Sequence, residues 1–224
     1  MFNIVNNNVD DPESAHVRTR AGAGLAPPDR LAYISASSIG ADMPGIDDSR
    51  PFIPLKIAVL TVSDTRGIED DKSGAILAER LTAAGHKLAA RAIATDDVEN
   101  IRAQIRAWIA DPDVDAIITT GGSGLTGRDV TPEAIEPLFE KRMDGFSSVF
   151  HRISFDKIGV STVQSRATAG VAGGTFIFVL PGSPGACRDA WDGILQSQLD
   201  YRHLPCNFVE IAPRLDEHLK RTKS

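Results

Sequence analysis

The chain contains 224 residues, of which 24 are Lys or Arg and 30 are Asp or Glu, so its formal net charge is −6. Because no stretch concentrates Lys or Arg, we expect neither nucleic acid nor a membrane surface as a partner. No apolar stretch approaches the roughly 20 residues that cross a bilayer, and the N-terminus lacks the pattern of a secretory leader. The two cysteines, Cys187 and Cys206, are too few for a disulfide framework, which predicts packed free thiols and a cytoplasmic location.

Regular apolar patterning is confined to the part of the chain from about Leu55 to Phe208. The residues before it contain three consecutive asparagines, a Pro-Pro pair and scattered glycines without a sustained period, which is typical of disordered segments. We therefore expect a disordered N-terminal extension over residues 1–52, one domain over residues 53–212 and a C-terminal tail over residues 213–224. A domain of this size can bury an ample core.

Short β-rich apolar runs alternate with segments of helical periodicity along the domain. The runs predict strands at Ile57–Val62, Leu88–Ala94, Val114–Thr120 and Thr175–Leu180. The periodic segments predict helices at Ser73–Ala84, between Asp96 and Asp111, from Thr131 to about Glu140, at Phe146–Phe155 and at Cys187–Leu199. This alternation predicts an α/β protein, a three-layer α/β/α sandwich around a mostly parallel sheet.

Polar residues gather in the loops that follow the predicted strands. In open α/β sheets, ligands bind outside the carboxyl ends of the strands, so these loops are the informative segments. Glycine, hydroxyl or carboxylate groups occur in the loops Ser63-Asp64, Asp96-Asp97, Gly121–Asp129 and Pro181–Ser183. One polar loop is typical of any solvated connection, but four at one edge of a sheet predict a ligand site.

The sharpest feature is the glycine cluster T-G-G-S-G at Thr120–Gly124. Glycines allow the backbone to approach a ligand closely, which favours a phosphate site, although a tight turn without a ligand is the alternative. A dinucleotide fingerprint is disfavoured because Pro132 delays the helix that should open within the motif. A Walker-A loop is excluded because Arg128-Asp129 stands where Lys and Ser or Thr are required.

Two carboxylates flank this cluster. Asp129 follows the glycine loop and Asp96 ends the preceding strand, so the pair could hold Mg²⁺ together with phosphate oxygens and water. Two structural roles compete with this hypothesis. Asp96 could simply cap the helix that carries Glu99, and Asp129 could simply brace its loop. Thr131 is predicted to cap the next helix and to fix the loop from behind.

Several separated motifs resemble one known family. T-V-S-D at Thr61–Asp64, T-G-G-S-G, R-D-V-T-P-E-A at Arg128–Ala134 and P-G-S at Pro181–Ser183 together resemble the MoaB/MogA molybdopterin-binding family, over about Leu55 to Phe208. The MoaB branch is the more similar of the two in three further motifs, which are Q-S-R-A at Gln164–Ala167, A-C-R at Ala186–Arg188 and Q-L-D-Y-R-H-L-P-C-N-F at Gln198–Phe208.

The resemblance implies the fold of a molybdopterin-binding domain and an activity, the Mg²⁺- and ATP-dependent adenylylation of molybdopterin. It implies that Asp96 and Asp129 are catalytic residues and metal ligands. The substrate-binding residues implied are Ser63, Asp64, Gly121, Gly122, Ser123, Gly124, Pro181, Gly182 and Ser183. It also implies a homotrimer or homohexamer. The alternative is a protein that binds or carries molybdopterin without consuming ATP.

Overall fold

A computed structural model of the protein describes residues 45–217, and residues 1–44 and 218–224 lie outside this part. The strands are β1 Gly45–Ile46, β2 Lys56–Val62, β3 Lys87–Ala94, β4 Ala116–Thr120, β5 Lys141–Arg142, β6 Thr168–Ala172, β7 Thr175–Leu180 and β8 His203–Leu204. The helices are α1 Lys72–Ala83, α2 Val98–Ile109, α3 Thr131–Ile135, α4 Asp144–Ile158, α5 Pro184–Ala190, α6 Gln196–Gln198 and α7 Phe208–Ile211. Within residues 45–217, none of the helices is long and apolar enough to span a membrane.

The main sheet has six strands in the order β3-β2-β4-β7-β6-β5. The first four strands are parallel, whereas β6 runs antiparallel to β7 and β5 antiparallel to β6. Alternate side chains of β2 enter two separate cores, Ile57 and Val59 on the face with α1, α4 and α5, and Ala58 and Leu60 on the face with α2 and α3. The predicted three-layer α/β/α sandwich with a mostly parallel sheet is confirmed.

Strand β6 was not among the predicted strands. Its sequence is T-A-G-V-A, in which two alanines and a glycine, residues that are depleted in strands, weaken the signal of the β-branched Thr168 and Val171. The reason for the small residues is visible at Gly170, where a Cβ atom would lie 2.3 Å from the ring of Phe139. The small residues allow β6 to pack closely against the segment before β5, and they also make the strand difficult to recognise from sequence.

Two predicted helix starts need correction. Asp97, not Asp96, caps α2, because its carboxylate accepts a hydrogen bond of 2.9 Å from the Asn100 amide. Helix α3 begins at Thr131 without a side-chain cap, so the predicted capping by the Thr131 hydroxyl is wrong. The α-helix also ends at Ile135, well before Glu140, because Pro137 lacks the amide hydrogen that would continue the α-helical ladder, and a 3-10 turn at Glu136–Leu138 follows.

The closing helix is longer at its N-terminus than predicted and is irregular in its middle. Helix α5 begins at Pro184 rather than Cys187, a π-helical turn spans Trp191–Leu195, and α6 follows to Gln198. Gly193 lies in the π turn, where a Cβ atom would come within 2.7 Å of the Ile153 side chain. The turn thus lets α5 and α4 approach closely while Trp191 stays buried.

Residues 45–52 pack against the domain rather than belonging to an unpacked extension. Strand β1 pairs with β8, the Arg50 guanidinium lies 3.8 Å from the centre of the Tyr201 ring, and the Phe52 ring centre lies 5.2 Å from that of His86. The predicted boundary at residue 52 is therefore wrong, since the packed domain begins no later than Gly45. The rest of the predicted extension lies outside the described residues.

The C-terminal boundary also moves. Asn207 caps α7 by accepting a hydrogen bond of 2.9 Å from the Glu210 amide, and Ala212 and Leu215 pack against the larger core. The domain therefore extends beyond residue 212, into the segment predicted to be a tail. Residues 218–224 of that tail lie outside the described residues.

These contacts generate a prediction for two truncated chains, one starting at Gly45 and the other at Ile53. The second chain should be less stable by roughly 2 kcal/mol, about 4–8 °C in the thermal midpoint, because it loses the Phe52 and Arg50 contacts. Thermal unfolding followed by circular dichroism measures the difference. Phe52→Ala in the longer chain should reproduce part of the loss, whereas equal midpoints for the two chains would show that residues 45–52 do not stabilise the domain.

Candidate functional site

A cleft of about 550 Å³ opens at the carboxyl ends of β2, β4 and β7. Its walls contain every predicted site residue except Asp64, namely Ser63, Asp96, Gly121, Gly122, Ser123, Gly124, Asp129, Pro181, Gly182 and Ser183. The remaining lining residues were not predicted and are Val62, Arg66, Gln164, Ser165 and Pro184. The four loops expected to share one edge of the sheet therefore meet in one cavity.

The floor of the cleft requires glycine at two consecutive positions. Gly121 has φ +98° and Gly122 has φ +60°, both in the left-handed region. A Cβ atom at Gly121 would lie 2.2 Å from the Val62 carbonyl oxygen, and one at Gly122 would lie 2.3 Å from Oγ1 of Thr131. Any side chain here would collide with the end of β2 or with Thr131, so the fold itself requires glycine at both positions.

The amides of this loop divide into engaged and available donors. The Gly121 amide donates to the Leu180 carbonyl at 3.2 Å, and the Gly124 amide donates to Asp129. Within residues 45–217, the amides of Gly122 and Ser123 donate no hydrogen bond. Two adjacent free amides beside a left-handed glycine can bind an anion, which gives the predicted phosphate site its donors.

Thr131 fixes this loop from behind, as predicted, although not by capping its helix. Its side chain is fully buried, its hydroxyl donates to the Gly121 carbonyl at 2.9 Å and its amide donates to the Gly122 carbonyl at 2.8 Å. Both hydrogen bonds satisfy carbonyl groups of the glycine loop. Thr131 is a positioning residue for the glycine loop.

Arg166 is a second positioning residue and was predicted only as part of the motif Q-S-R-A. Its Nε donates to the Ser123 carbonyl and its Nη2 to the Asp129 carbonyl, each at 3.1 Å, while its Nη1 pairs with Glu133. One guanidinium thus connects both ends of the loop and the start of α3. The signal in the sequence was an arginine beside polar residues, which carries no indication of its distant partners.

Asp129 has the bracing role that was one alternative, and it also lines the cleft. Its Oδ2 accepts hydrogen bonds from the Thr126 hydroxyl at 2.6 Å and the Thr126 amide at 2.9 Å. The Thr126 hydroxyl is the main reason that the pKa of Asp129 is lowered, against an opposing effect of burial. Asp129 is therefore ionised at neutral pH and presents a fixed negative charge.

Asp96 has the opposite electrostatic environment. Its pKa is raised, first by burial and then by the negative charges of Asp64 and Asp129, with Arg128 opposing them. A carboxylate that is partly desolvated beside other carboxylates is stabilised by any cation that binds there. The release of Asp96 from the helix cap, a role taken by Asp97, leaves its side chain at the cleft.

Asp64 does not line the cleft but connects two of the loops that surround it. Its Oδ1 accepts a hydrogen bond of 3.0 Å from the Asp96 amide, and its Oδ2 pairs with Arg128. The Arg128 hydrogen bond is the main reason that the pKa of Asp64 is lowered. The structure thus places Asp64 outside the predicted group of substrate-lining residues, where it connects the loops that carry Asp96 and Asp129.

The Ser63 and Ser183 hydroxyls organise the other two loops. Ser63 Oγ accepts the Arg66 amide at 3.2 Å, which closes the turn after β2. Ser183 Oγ accepts the Ala186 amide at 3.1 Å and caps α5. Both hydroxyls line the cleft, so each is available to a ligand through its remaining hydrogen-bonding capacity.

A buried carboxylate supports the end of β2. Asp71 accepts hydrogen bonds from the Gly74 amide, the Arg91 guanidinium and the Thr61 hydroxyl at 2.8–2.9 Å. Burial would raise the pKa of Asp71, but the three hydrogen bonds together outweigh burial and lower it. The strand that leads into Ser63 is thereby fixed to α1 and β3.

The two cysteines are both free thiols, as predicted, but they differ in packing. Cys187 is buried beneath the cleft, with its sulfur 3.1 Å from Thr120 Oγ1, and burial raises the pKa of its thiol to about 11. It therefore stays protonated at neutral pH and is no nucleophile. Cys206 is exposed, so its predicted packing is wrong.

Comparison with known proteins agrees with this geometry. Residues 58–201 match the family described as "Probable molybdopterin binding domain", a range that includes every loop of the cleft. The chain belongs to this molybdopterin-binding family of molybdenum cofactor biosynthesis proteins. Within the family it is MoaB-like, because it is 52% identical to molybdenum cofactor biosynthesis protein B of Escherichia coli (strain K12) over 160 residues, 71% of this chain and 94% of that protein.

Solved structures of MoaB proteins have the same fold. A crystal structure of a molybdenum cofactor biosynthesis protein B matches 75% of this chain and 99% of its own chain, with a TM-score of 0.68 and 37% identity. The tungsten cofactor synthesizing protein MoaB from Pyrococcus furiosus matches 76% of this chain and 98% of its own, with a TM-score of 0.56 and 32% identity. The α/β fold of this MoaB-like protein is therefore shared across the family.

The electrostatics of the cleft generate a prediction for Asp96. In Asp129→Asn, the pKa of Asp96 should fall because a neighbouring negative charge is removed, but it should stay above its ordinary value because burial is the larger cause. Carboxyl ¹³C NMR titration of both proteins measures the shift. Asp156→Asn, which removes an exposed carboxylate paired with Arg152, is the control and should leave Asp96 unchanged. A pKa of Asp96 that does not move in Asp129→Asn would show that the two groups are not coupled.

Proposed function

We propose that this molybdenum cofactor biosynthesis protein catalyses the adenylylation of molybdopterin with Mg²⁺ and ATP. In this reaction an oxygen of the pterin's terminal phosphate forms a bond to the α-phosphorus of ATP, the bond from that phosphorus to the β-phosphate bridging oxygen breaks, and pyrophosphate leaves. The observation that carries the proposal is the position of Asp96 and Asp129 beside the free amides of the glycine loop, in one cleft.

The two carboxylates fit a magnesium ion that arrives with the nucleotide. Within residues 45–217 there is no cluster of three or more metal-binding side chains, which argues against an ion held by protein alone. Mg²⁺ typically takes one or two carboxylates and completes its shell with phosphate oxygens and water. Asp96 and Asp129 would hold it, and a cation would offset the neighbouring negative charges that, after burial, raise the pKa of Asp96. The bound ion would supply charge neutralisation at the phosphates.

The residues of the chain would act by positioning and by electrostatics. The amides of Gly122 and Ser123 can donate to phosphate oxygens whose charge grows as the new bond forms. Thr131 and Arg166 hold these amides in place through the carbonyls behind them. Such preorganised donors need no reorganisation during the reaction, and no covalent intermediate with the protein is required.

A carrier that binds molybdopterin without consuming ATP is the second candidate. The observation that favours it is the engagement of Asp129 Oδ2 by Thr126, since a bracing carboxylate has a structural role without chemistry. The two functions differ in one measurable respect. Incubation of the purified protein with molybdopterin, ATP and Mg²⁺ should yield an adenylylated pterin and pyrophosphate only if the protein is the transferase.

Asp129→Asn separates these roles. Asparagine keeps an oxygen for the Thr126 amide and removes the charge, so the loop and the affinity for molybdopterin should survive. Adenylylation should fall at least about a hundredfold, which corresponds to roughly 2.7 kcal/mol of transition-state stabilisation. Product formation, pterin binding and the thermal midpoint are measured on the same preparations.

The control for this experiment is Asp156→Asn, which changes the net charge equally at an exposed site. It should behave like the wild type in all three measurements. If Asp129 only braces its loop, turnover in Asp129→Asn falls no further than stability and pterin binding do. Wild-type turnover in Asp129→Asn would remove this residue from the mechanism.

We also propose a homotrimer, or a homohexamer built from trimers. The support is an exposed apolar surface on α4 and the turn after it, where Val160 and Val163 are 75% and 78% exposed and Phe155 and Ile158 are also exposed. Exposed apolar patches mark interfaces between proteins. Light scattering should give a multiple of the trimer mass, and Val160→Asp combined with Val163→Asp should lower it. A monomeric mass for the wild type at micromolar concentration would contradict the proposal.

A further inference from the structure

The charged groups that line the cleft are unevenly distributed. Asp96 and Asp129 contribute negative charge, whereas Arg66 is the one positively charged side chain in its walls within the part of the chain that the structure describes. The substrates of the proposed reaction carry several phosphate negative charges. A cleft that binds them therefore needs positive charge in addition to backbone amides.

The other arginines around the site are already engaged. Arg128 pairs with Asp64, Arg166 pairs with Glu133 and also donates to two loop carbonyls, and Arg91 pairs with the buried Asp71 at 2.9 Å. Each of them would have to break a contact that holds the site together before it could bind a ligand. Their role is to stabilise the loops.

Arg66 differs from them in having a fixed backbone and an uncommitted side chain. Its amide donates to Ser63 Oγ at 3.2 Å, which fixes the start of the residue in the turn after β2. Its guanidinium makes no hydrogen bond or ion pair with any residue between 45 and 217. The side chain is exposed and borders the cleft, so it can reorient toward a ligand without loss of a protein contact.

We propose that Arg66 is a substrate-binding residue that holds a phosphate group of the anionic substrate in the cleft; this inference rests on the proposed function for the identity of that substrate. A guanidinium presents paired N–H donors that match two oxygens of one phosphate, a geometry that the single ammonium of lysine does not reproduce. The phosphate belongs either to the nucleotide or to the pterin. The chemistry is the same in both cases, and the experiment distinguishes them.

The test uses Arg66→Gln and Arg66→Lys in the full chain. Both variants retain the backbone amide that donates to Ser63, so the turn after β2 should be preserved. Arg152→Gln is the matched control, because Arg152 is exposed and its ion pair with Asp156 lies within one helix. Circular dichroism and thermal midpoints establish that all variants are folded.

Two ligand measurements are made on each protein. Calorimetry with ATP in the presence of EDTA, at low and at moderate salt, measures nucleotide binding without metal or turnover. The adenylylation assay with Mg²⁺ then gives KM for ATP, KM for molybdopterin and kcat. For the substrate whose phosphate contacts Arg66, we expect Kd or KM to rise about tenfold in Arg66→Gln and by less in Arg66→Lys, with a smaller change in kcat.

The outcomes separate the inference from the proposed function. A weaker affinity for ATP in Arg66→Gln, with a reduced salt dependence, assigns the contact to a nucleotide phosphate, and an increase of KM for molybdopterin alone assigns it to the pterin phosphate. Unchanged Kd and KM values in Arg66→Gln, or equal losses in Arg152→Gln, would overturn the inference while leaving the adenylylation intact. Weaker ATP binding in Arg66→Gln together with a wild type that forms no product would instead refute the proposed reaction and retain the contact.

Discussion

Gly121 lies so close to the end of β2 that a Cβ atom there would come within 2.2 Å of the Val62 carbonyl oxygen. On the other side, a Cβ atom at Gly182 would lie 3.0 Å from the Gly121 Cα atom. Three parallel strands therefore leave the sheet in backbone contact, without side chains between them. This contact determines the position of the glycine loop, and the free amides of Gly122 and Ser123 depend on it.

The electrostatic design around this contact has two layers. Outside the cleft, the charged side chains that hold the loops are neutralised in two ion pairs, Asp64 with Arg128 and Glu133 with Arg166. At the cleft itself, Asp96 remains partly desolvated beside other carboxylates, and its pKa is raised. Structural charges are thus paired while the charge that faces a ligand is left unbalanced, which is the arrangement expected of a site that binds a cation together with an anion.

The sequence was sufficient to predict the three layers, the parallel strands and the loops of the cleft. These features follow from the apolar periodicity and from the positions at which polar residues interrupt it. The sequence was insufficient wherever a distant contact decides the local structure. The small residues around Gly170 form a strand that pairs with β5 and β7 and packs closely on Phe139, and Arg166 holds the loop through carbonyls 37 and 43 positions away. The choice of Asp97 over Asp96 as the helix cap depends on backbone angles that two adjacent identical residues do not reveal.

The cleft combines loops that begin at Ser63 and end at Ser183, with the other strands of the sheet between them. No fragment containing one or two of these loops has the site, because the parallel strands must first be paired across long stretches of chain, which is a slow and entropically costly step. A substrate therefore has affinity only for the completed domain. By mass action, a ligand at a hundred times its Kd would raise the free energy of unfolding by about 2.7 kcal/mol. Because the site exists only in the complete domain, this stabilisation against unfolding applies to the whole domain rather than to one loop.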